Sequence, residues 1–272
     1  MKIASWNVNS IRARVGHVTE WLHTREPDVL LLQELKGEIF PTEVFKEIGY
    51  ESVAVTQKTY NGVAVLSRMP IETVNTTLAG DDKDSHARFL ETMIGGIRVV
   101  NVYMPNGNPI GSDKFIYKLA WMDRMMDQMI RWLRDDAATV IGGDFNVIPE
   151  DIDCHKPASW IKDALFQPEP RARYRAMLER GYVDAFRSLR VAHTTVTVPS
   201  SPACTDSRSH SFVRTNPCAG ALGSSALARN HGKHTGIPPR IARPSSHFEC
   251  PLRKSTSSSP AGRHAVTCAP CR

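Results

Sequence analysis

Apolar and polar positions follow two different periods over residues 1–190. Short continuous apolar runs, such as DVLLLQ at 28–33, indicate strands that are buried on both faces. Residues 112–136 instead carry apolar side chains three or four positions apart, which indicates an amphipathic helix. The apolar stripe of that helix consists of Phe115, Leu119, Met122, Met126, Met129 and Leu133. The whole pattern predicts strands at 2–8, 28–33, 51–57, 62–67, 71–77, 87–93, 97–103 and 139–143, and helices at 10–25, 41–49, 112–136 and 170–180.

Capping and turn residues lie between these elements. Ser10 is suited to cap the first predicted helix, and Pro41 is suited to open the second. Gly95-Gly96 separates two predicted strands, which favours a two-residue hairpin turn. Because strands alternate with long helices, the pattern predicts a layered α/β fold.

The pattern stops after Leu189. The segment 191–272 holds nine of the 18 prolines, and all five tryptophans and all six tyrosines lie before it. Such a composition buries too little apolar surface to offset an ordering cost of about 1–2 kcal/mol per residue for the backbone alone. We therefore expect a globular domain over residues 1–190, followed by a disordered tail over residues 191–272.

Charge and cysteine content divide at the same place. Residues 1–190 contain 24 Lys+Arg and 26 Asp+Glu, whereas residues 191–272 contain 10 and 2. The net charge of +6 therefore comes from the tail and does not indicate that the domain binds nucleic acid. Cys154 is the one cysteine of the domain among six in the chain, which is typical of a reducing compartment.

The first residues lack the pattern of a secretory signal, and no apolar run approaches the length of a membrane span. We therefore expect a cytoplasmic protein that does not enter a membrane.

Polar side chains stand where apolar strands end. Asn7 ends the first predicted strand, Glu34 follows the second, Tyr103 ends another, and Asp144 and Asn146 follow 139–143. In layered α/β proteins such positions converge on one rim. Carboxylates with amide oxygens, and without histidine or cysteine, suit Mg²⁺ or Mn²⁺ better than Zn²⁺.

Four motifs contain these residues: SWNVNSIR at 5–12, LQELK at 32–36, NVYMPNG at 101–107 and GGDFNV at 142–147. Two more, YNGVA at 60–64 and DID at 151–153, lie between and after them. In these motifs the chain resembles the exonuclease III branch of the endonuclease/exonuclease/phosphatase family. One such motif would be weak support, but their shared order makes chance agreement improbable.

The resemblance implies a four-layered α/β sandwich, in which helices flank two packed mixed β-sheets. It also implies a Mg²⁺-dependent phosphodiesterase of DNA repair, with Mn²⁺ as an alternative ion. The implied activities are 3′→5′ exonuclease action on duplex DNA and cleavage at apurinic or apyrimidinic sites. The implied partner is double-stranded DNA with 3′ ends, nicks or abasic sites, and we expect a monomer.

Roles follow the resemblance residue by residue. Glu34 would hold the metal, with Asn7 beside it as a ligand or as a group that orients the ligands, and Asp144 and Asn146 complete the metal set. Asp144 would also orient or deprotonate the attacking water, or serve the leaving oxygen. Asn146 and Tyr103 would hydrogen-bond the phosphate.

Arg88 would contact a DNA phosphate.

The strand-end residues also have structural interpretations. Asn7 can cap a turn, Tyr103 can close the edge of a core, and the pair Asp144 and Asn146 can form a side-chain-to-backbone turn. Glu34 can be a solvated strand end.

The resemblance fails in the tail. The family continues with a Phe-Trp strand, an Arg-Ile-Asp strand and a Ser-Asp-His motif, and none of these is present after residue 190. The nearest sequence, SSHF at 245–248, lacks the carboxylate. We therefore expect an incomplete sandwich, and a rate reduced by about 10²- to 10⁴-fold through the missing acid–base group.

Two other functions remain open. The chain can be an inactive truncated relative whose basic tail binds nucleic acid without specificity. Alternatively, Cys268 and Cys271, with one of Cys204, Cys218 and Cys250, can form a zinc site, although a single C-x₂-C pair is a weak signal.

The abrupt change in composition generates a hypothesis about its origin: a shift of reading frame near codon 190. The expected outcome is that one of the other two frames beyond that codon encodes Arg-Ile-Asp and Ser-Asp-His. Sequencing the gene across codon 190 tests it, and the hypothesis is wrong if neither frame encodes those motifs.

Overall fold

The computed structural model describes residues 1–135, 137–185, 187–188 and the backbone of Ser209–Arg214. The strands in this part are β1 (Ile3–Asn7), β2 (Val29–Gln33), β3 (Glu51–Val55), β4 (Val63–Ser67), β5 (Glu72–Asn75), β6 (Phe89–Ile94), β7 (Ile97–Tyr103), β8 (Thr139–Asp144), β9 (Val183–Asp184) and β10 (Ser209–Arg214). The α-helices are α1 (Val15–Arg25), α2 (Thr42–Glu47), α3 (Asp113–Trp132) and α4 (Pro168–Glu179).

The strands form two mixed sheets. One has the order β1-β2-β4-β3, and β1 and β2 are its parallel pair. The other has the order β5-β6-β7-β8-β10-β9, and β7 and β8 are its parallel pair. Helices α1 and α2 cover the first sheet, while α3 and α4 cover the second. The prediction of a four-layered α/β sandwich with two mixed sheets is confirmed.

Strand β2 shows how a continuous apolar run builds these layers. Leu30 and Leu32 pack toward α1, whereas Val29 and Leu31 pack into the core between the sheets. All five residues of β2 are buried, as the run DVLLLQ predicts. The alternation of side chains along a strand thus places one strand in two cores.

One polar side chain ties the two sheets together. Asn101 of β7 is fully buried, and its Nδ2 donates to the carbonyl oxygens of Leu32, at 2.9 Å, and Ala64, at 2.7 Å, in the opposite sheet. Its Oδ1 accepts a hydrogen bond of 2.8 Å from Gln33 Nε2. Because these donors and acceptors lie in an apolar layer, the bonds fix the position of β7 relative to β2.

The parallel pair β7 and β8 approaches closely at Gly143. This residue has φ of +141°, and a Cβ atom there would lie 2.0 Å from the carbonyl oxygen of Val102. Only glycine fits such a contact. The close pairing sets Tyr103 opposite Asp144 at the end of the two strands.

The first helix begins later than predicted. Asn9 and Ser10 have positive φ angles of 46° and 92°, and the helix starts at Val15 with Arg14 at the N-cap. The N–H group of Ser10 donates to the carbonyl oxygen of Glu34, at 2.7 Å. The prediction that Ser10 caps the helix is therefore wrong, because pairing with the chain beyond β2 holds this segment as a loop.

Helix α3 has a different buried face from the predicted stripe. Its fully buried residues include Lys118 and Met125, whereas Leu119 and Met126 are only partly buried. The Gly95-Gly96 turn is confirmed, since both residues have positive φ and Ile94 pairs with Ile97.

Strand β10 departs from the disordered tail expected over 191–272. It pairs antiparallel with β8 and with β9. Backbone groups on the edge of β8 can pair with a strand of almost any composition, which the composition of the tail could not indicate. The other tail residues lie outside the described part. Within that part, no helix is both long and apolar enough to cross a membrane.

The tie between the sheets predicts a large effect of Asn101→Leu. The change removes the hydrogen bonds that Asn101 makes to two buried carbonyl oxygens and to the Gln33 amide, which then keeps only Ser5. The free energy of unfolding should therefore fall by about 2–5 kcal/mol. Urea denaturation followed by circular dichroism measures it. The control change Thr73→Leu, at an exposed strand position, should cost less than about 1 kcal/mol. Equal losses in the two variants would contradict the role of Asn101.

Candidate active site

The predicted site residues meet where four strands end. Asn7 is the last residue of β1, Glu34 follows β2, Tyr103 is the last of β7, and Asp144 is the last of β8. Each sheet contributes one parallel pair, so the two strands of each pair end at the same edge. The packing of the sheets brings both edges to one rim, as the sequence predicts.

Asn7 connects the two carboxylates of the site. Its Nδ2 donates to Glu34 Oε1 at 2.7 Å and to Asp144 Oδ2 at 2.8 Å. The two oxygens are therefore no farther apart than the sum of these distances. The Oδ1 atom of Asn7 accepts from the backbone N–H of Asn9 at 3.1 Å, which fixes the orientation of the amide. This geometry favours the role of a group that orients the ligands, because the amide nitrogen faces the carboxylates.

Glu34 is ionised by its surroundings. Burial alone would raise the pKa of Glu34, but hydrogen bonds from Asn7, Lys36 and Tyr103, together with the charge of Lys36, lower it below its usual value. Lys36 Nζ lies 2.9 Å from Glu34 Oε2. The backbone at Glu34 has φ of +57°, so the chain turns directly after β2 and the side chain stays at the rim.

Tyr103 is a hydrogen-bond donor in this arrangement. Burial raises the pKa of Tyr103, and the negative charges of Glu34 and Asp144 raise it further. The phenol therefore stays protonated, and its hydroxyl donates to Glu34 Oε1 at 3.1 Å. The Arg88 guanidinium also lies over the Tyr103 ring, with Cζ 4.8 Å from the ring centre.

Asp144 and Asn146 lie in a tight turn and are both buried. The backbone N–H of Asn146 donates to Asp144 Oδ1 at 3.0 Å, and Asn146 has φ of +46°. Asn146 Nδ2 donates to the carbonyl oxygen of Met104 at 2.7 Å. The side-chain-to-backbone turn considered from the sequence is thus present, and it keeps the Asp144 carboxylate next to Asn7, whereas the Asn146 amide is directed to Met104.

Lys118 supports the site and is absent from the residues predicted for it. Its Nζ is fully buried in α3 and donates to the carbonyl oxygens of Asn106, at 3.0 Å, and Asn146, at 2.5 Å. It therefore holds together the two loops that follow β7 and β8. In the sequence, Lys118 lies at helical spacing from Phe115 and Met122, and this spacing indicates that it shares their buried face.

A cavity of about 320 Å³ opens beside the Glu34 carboxylate. Its walls are formed by Glu34, Lys36, Gln57, Tyr60, Asn61, His86, Arg88 and Tyr103. Arg88 Nη1 donates to the carbonyl oxygen of Tyr103 at 3.2 Å, and its buried Nε has no hydrogen-bond partner in the described part of the chain. The predicted phosphate contact thus lies next to the site.

The donor set fits a hard divalent cation. Glu34 and Asp144 supply carboxylate oxygens, and no cluster of three or more histidine, cysteine, aspartate or glutamate residues occurs among the described residues. Mg²⁺ binds through one or two carboxylates and keeps several waters, which such a pair allows. The cysteines of the alternative zinc site lie outside the described part. Two carboxylates at the shared rim of a four-layered sandwich are a donor set that suits a phosphoesterase.

Comparison with known proteins identifies the family. The Endonuclease/Exonuclease/phosphatase family matches residues 4–224, and the chain belongs to it. Exodeoxyribonuclease III of Haemophilus influenzae is 30% identical over 202 residues, which are 70% of this chain and 76% of that protein. Nucleases of this family depend on divalent metal ions.

Two solved structures resemble this one closely. An AP endonuclease from Archaeoglobus fulgidus has a TM-score of 0.71 and 34% identity, covering 78% of this chain and 86% of that chain. A 3′ phosphatase from Neisseria bound to a product DNA hairpin has a TM-score of 0.72 and 31% identity, covering 79% and 86%. These relatives place the chain in the exonuclease III branch of the family.

The hydrogen bonds to Glu34 predict an order of pKa changes. Asn7→Leu removes the strongest of the hydrogen bonds that lower the pKa of Glu34, and Tyr103→Phe removes the weakest. The pKa of Glu34 should therefore rise in both variants and rise more in Asn7→Leu. Carboxylate-detected NMR titration measures this, with the exposed Glu72 carboxylate as internal control. A larger rise in Tyr103→Phe would contradict the bridging position of Asn7.

Proposed function

We propose that this chain is a Mg²⁺-dependent phosphodiesterase of DNA repair. Its proposed activities are 3′→5′ exonuclease action on duplex DNA and cleavage at apurinic or apyrimidinic sites. The observation that carries the proposal is the bridge from Asn7 to Glu34 and Asp144. It sets two carboxylates within reach of one cation, beside a cavity that also presents Lys36 and Arg88.

Glu34 and Asp144 would hold the ion, and Mn²⁺ would replace Mg²⁺ with the same oxygen ligands. When bound, the ion supplies positive charge that neutralises the oxygens of the phosphate. Asn7 keeps both carboxylates in place through its amide group. Its own oxygen is engaged with the backbone of Asn9, so we propose it as the orienting group of the set.

The other residues act on water and phosphate. Asp144 orients or deprotonates the attacking water, or serves the leaving oxygen. Asn146 would complete the metal set or donate to the phosphate, and Tyr103 would hydrogen-bond the same phosphate. Arg88 adds a charged contact from the cavity, and its partnerless Nε supports that role.

Duplex DNA is the proposed partner. One relative carries a product DNA hairpin in its solved structure, and the other similar proteins are named for action on DNA. We propose 3′ ends, nicks and abasic sites as the positions at which the DNA is cleaved. We also propose that the protein is monomeric and cytoplasmic.

The composition of the tail lowers the rate of DNA cleavage that we propose for this chain. The Arg-Ile-Asp and Ser-Asp-His motifs that the resemblance implies do not occur in residues 191–272, so we propose that the chain works about 10²- to 10⁴-fold below a relative with its acid–base group. The second candidate function is an inactive relative whose basic tail binds nucleic acid. Binding by the tail alone would fade steeply with salt and would not respond to Mg²⁺.

Glu34→Gln tests the proposed function. The change keeps the shape of the side chain but removes the charge that would hold the ion, so cleavage of nicked duplex DNA should fall by about 10²-fold or more. Glu72→Gln, at an exposed position of β5, should leave the rate unchanged. Gel electrophoresis of labelled DNA with Mg²⁺, and with EDTA as the metal-free state, measures the rate.

A hybrid chain serves as the high-activity control. Residues 1–190 would be joined to the corresponding C-terminal segment of the Haemophilus influenzae relative, and cleavage should rise above that of the natural chain. Glu34→Gln should abolish the gain. If Glu34→Gln cleaves as fast as the parent in both backgrounds, the proposed metal site is wrong.

A further inference from the structure

A histidine outside the predicted site lines the cavity. His86 forms part of the wall that also contains Arg88 and Tyr103. Its side chain is 45% exposed, so its ring is accessible from solvent. The loop that carries it runs directly into β6, two residues before Arg88.

The Nδ1 atom of this ring is held by Asp84 and Tyr117. His86 Nδ1 lies 2.8 Å from Asp84 Oδ1, and the backbone N–H of His86 donates to the same oxygen at 3.2 Å. Tyr117 packs against the ring with centroids 5.3 Å apart, and its hydroxyl lies 3.2 Å from Nδ1. The ring is therefore fixed by the loop and by α3.

Asp84 is built as an ionised anchor. Its side chain is 6% exposed and accepts from Tyr117 OH at 3.0 and 2.9 Å. Arg124 forms an ion pair with it. Burial alone would raise the pKa of Asp84, but the hydrogen bonds of Arg124, His86 and Tyr117 lower it. An ionised carboxylate only accepts, so the proton on Nδ1 points at Asp84.

Nδ1 is thereby occupied, and Nε2 is the ring atom that remains for a ligand. In the described part of the chain, Nε2 of His86 has no hydrogen-bond partner. The same cavity contains two permanent cations, Lys36 and Arg88. A third donor on this wall matches a ligand with several anionic oxygens spaced along its length, which is the chemistry of a nucleic-acid backbone.

We propose that His86 is a substrate-binding residue, whose ring in its protonated form donates Nε2–H to a backbone phosphate of duplex DNA beside Arg88. Asp84 is its positioning residue, and Tyr117 with Arg124 holds Asp84 in turn. This inference rests on the proposed function, since it assumes that DNA enters this cavity. It adds a residue that the motifs and strand-end positions do not indicate.

DNA binding by the full chain tests the inference without cleavage. The probe is a fluorescein-labelled nicked duplex in EDTA, and fluorescence anisotropy gives Kd across a series of salt concentrations. His86→Ala should weaken binding by about 5- to 20-fold, as expected for one half-exposed charged hydrogen bond. The slope of log K against log salt should become shallower by about 0.9, as expected for one lost phosphate contact.

Three further variants separate position, charge and fold. His86→Gln keeps a neutral donor near the place of Nε2, so its affinity should be intermediate and its slope should equal that of His86→Ala. Tyr117→Phe leaves the charge but loosens the ring, so the slope should stay at the wild-type value while affinity falls slightly. His23→Ala, at an exposed position of α1, should bind as the parent does. The tail is unchanged in every variant, so its contribution cancels.

The outcomes are distinct. If the parent binds the duplex while both His86 variants match it in affinity and slope, this inference is wrong and the proposed function stands. A weaker His86→Ala with an unchanged slope would also overturn it, because the contact would not be to a phosphate. If the parent itself does not bind the duplex, the inference and the proposed function both fall.

Discussion

The site depends on a polar contact deep in the apolar layer between the sheets. Asn101 donates to two backbone carbonyl groups of the opposite sheet and accepts from Gln33. Two sheets held only by apolar side chains could slide with little change in buried area, whereas these bonds have one geometry. Since Glu34 follows Gln33 and Tyr103 lies two residues beyond Asn101, this contact sets the distance between the two halves of the site.

At the rim, neutral donors hold together groups that would otherwise repel. Glu34 and Asp144 are both carboxylates, and Asn7 donates to each of them from one nitrogen. Tyr103 and Lys36 supply further donors to Glu34. The carboxylates are thus kept close to each other, so the proposed cation would need little rearrangement of the site to bind. The cavity continues this site with a wall of cationic and donor side chains.

Much of the fold and part of the site followed from local patterns. The apolar run of β2 predicts a strand buried on both faces, Gly95-Gly96 predicts a hairpin, and strand-end polar residues predict Glu34 and Asp144 at one rim. Other features could not be predicted locally. The segment at Ser10 forms a loop because its backbone N–H pairs with the carbonyl oxygen of Glu34, just after β2. Strand β10 forms by pairing with the free edge of β8, although the composition of the tail does not predict a strand.

The sequence by itself determined the order of strands and helices, the chemical types at the strand ends and the change of character after residue 190, because periodicity, turn residues and composition act over a few neighbours. Only the tertiary structure decided which atom of Asn7 faces the carboxylates, that Lys118 is buried beneath two loops, and that His86 stands on the wall of the cavity. Each of these depends on contacts between residues far apart in the chain, and such contacts are set by how the sheets and helices pack rather than by local preference.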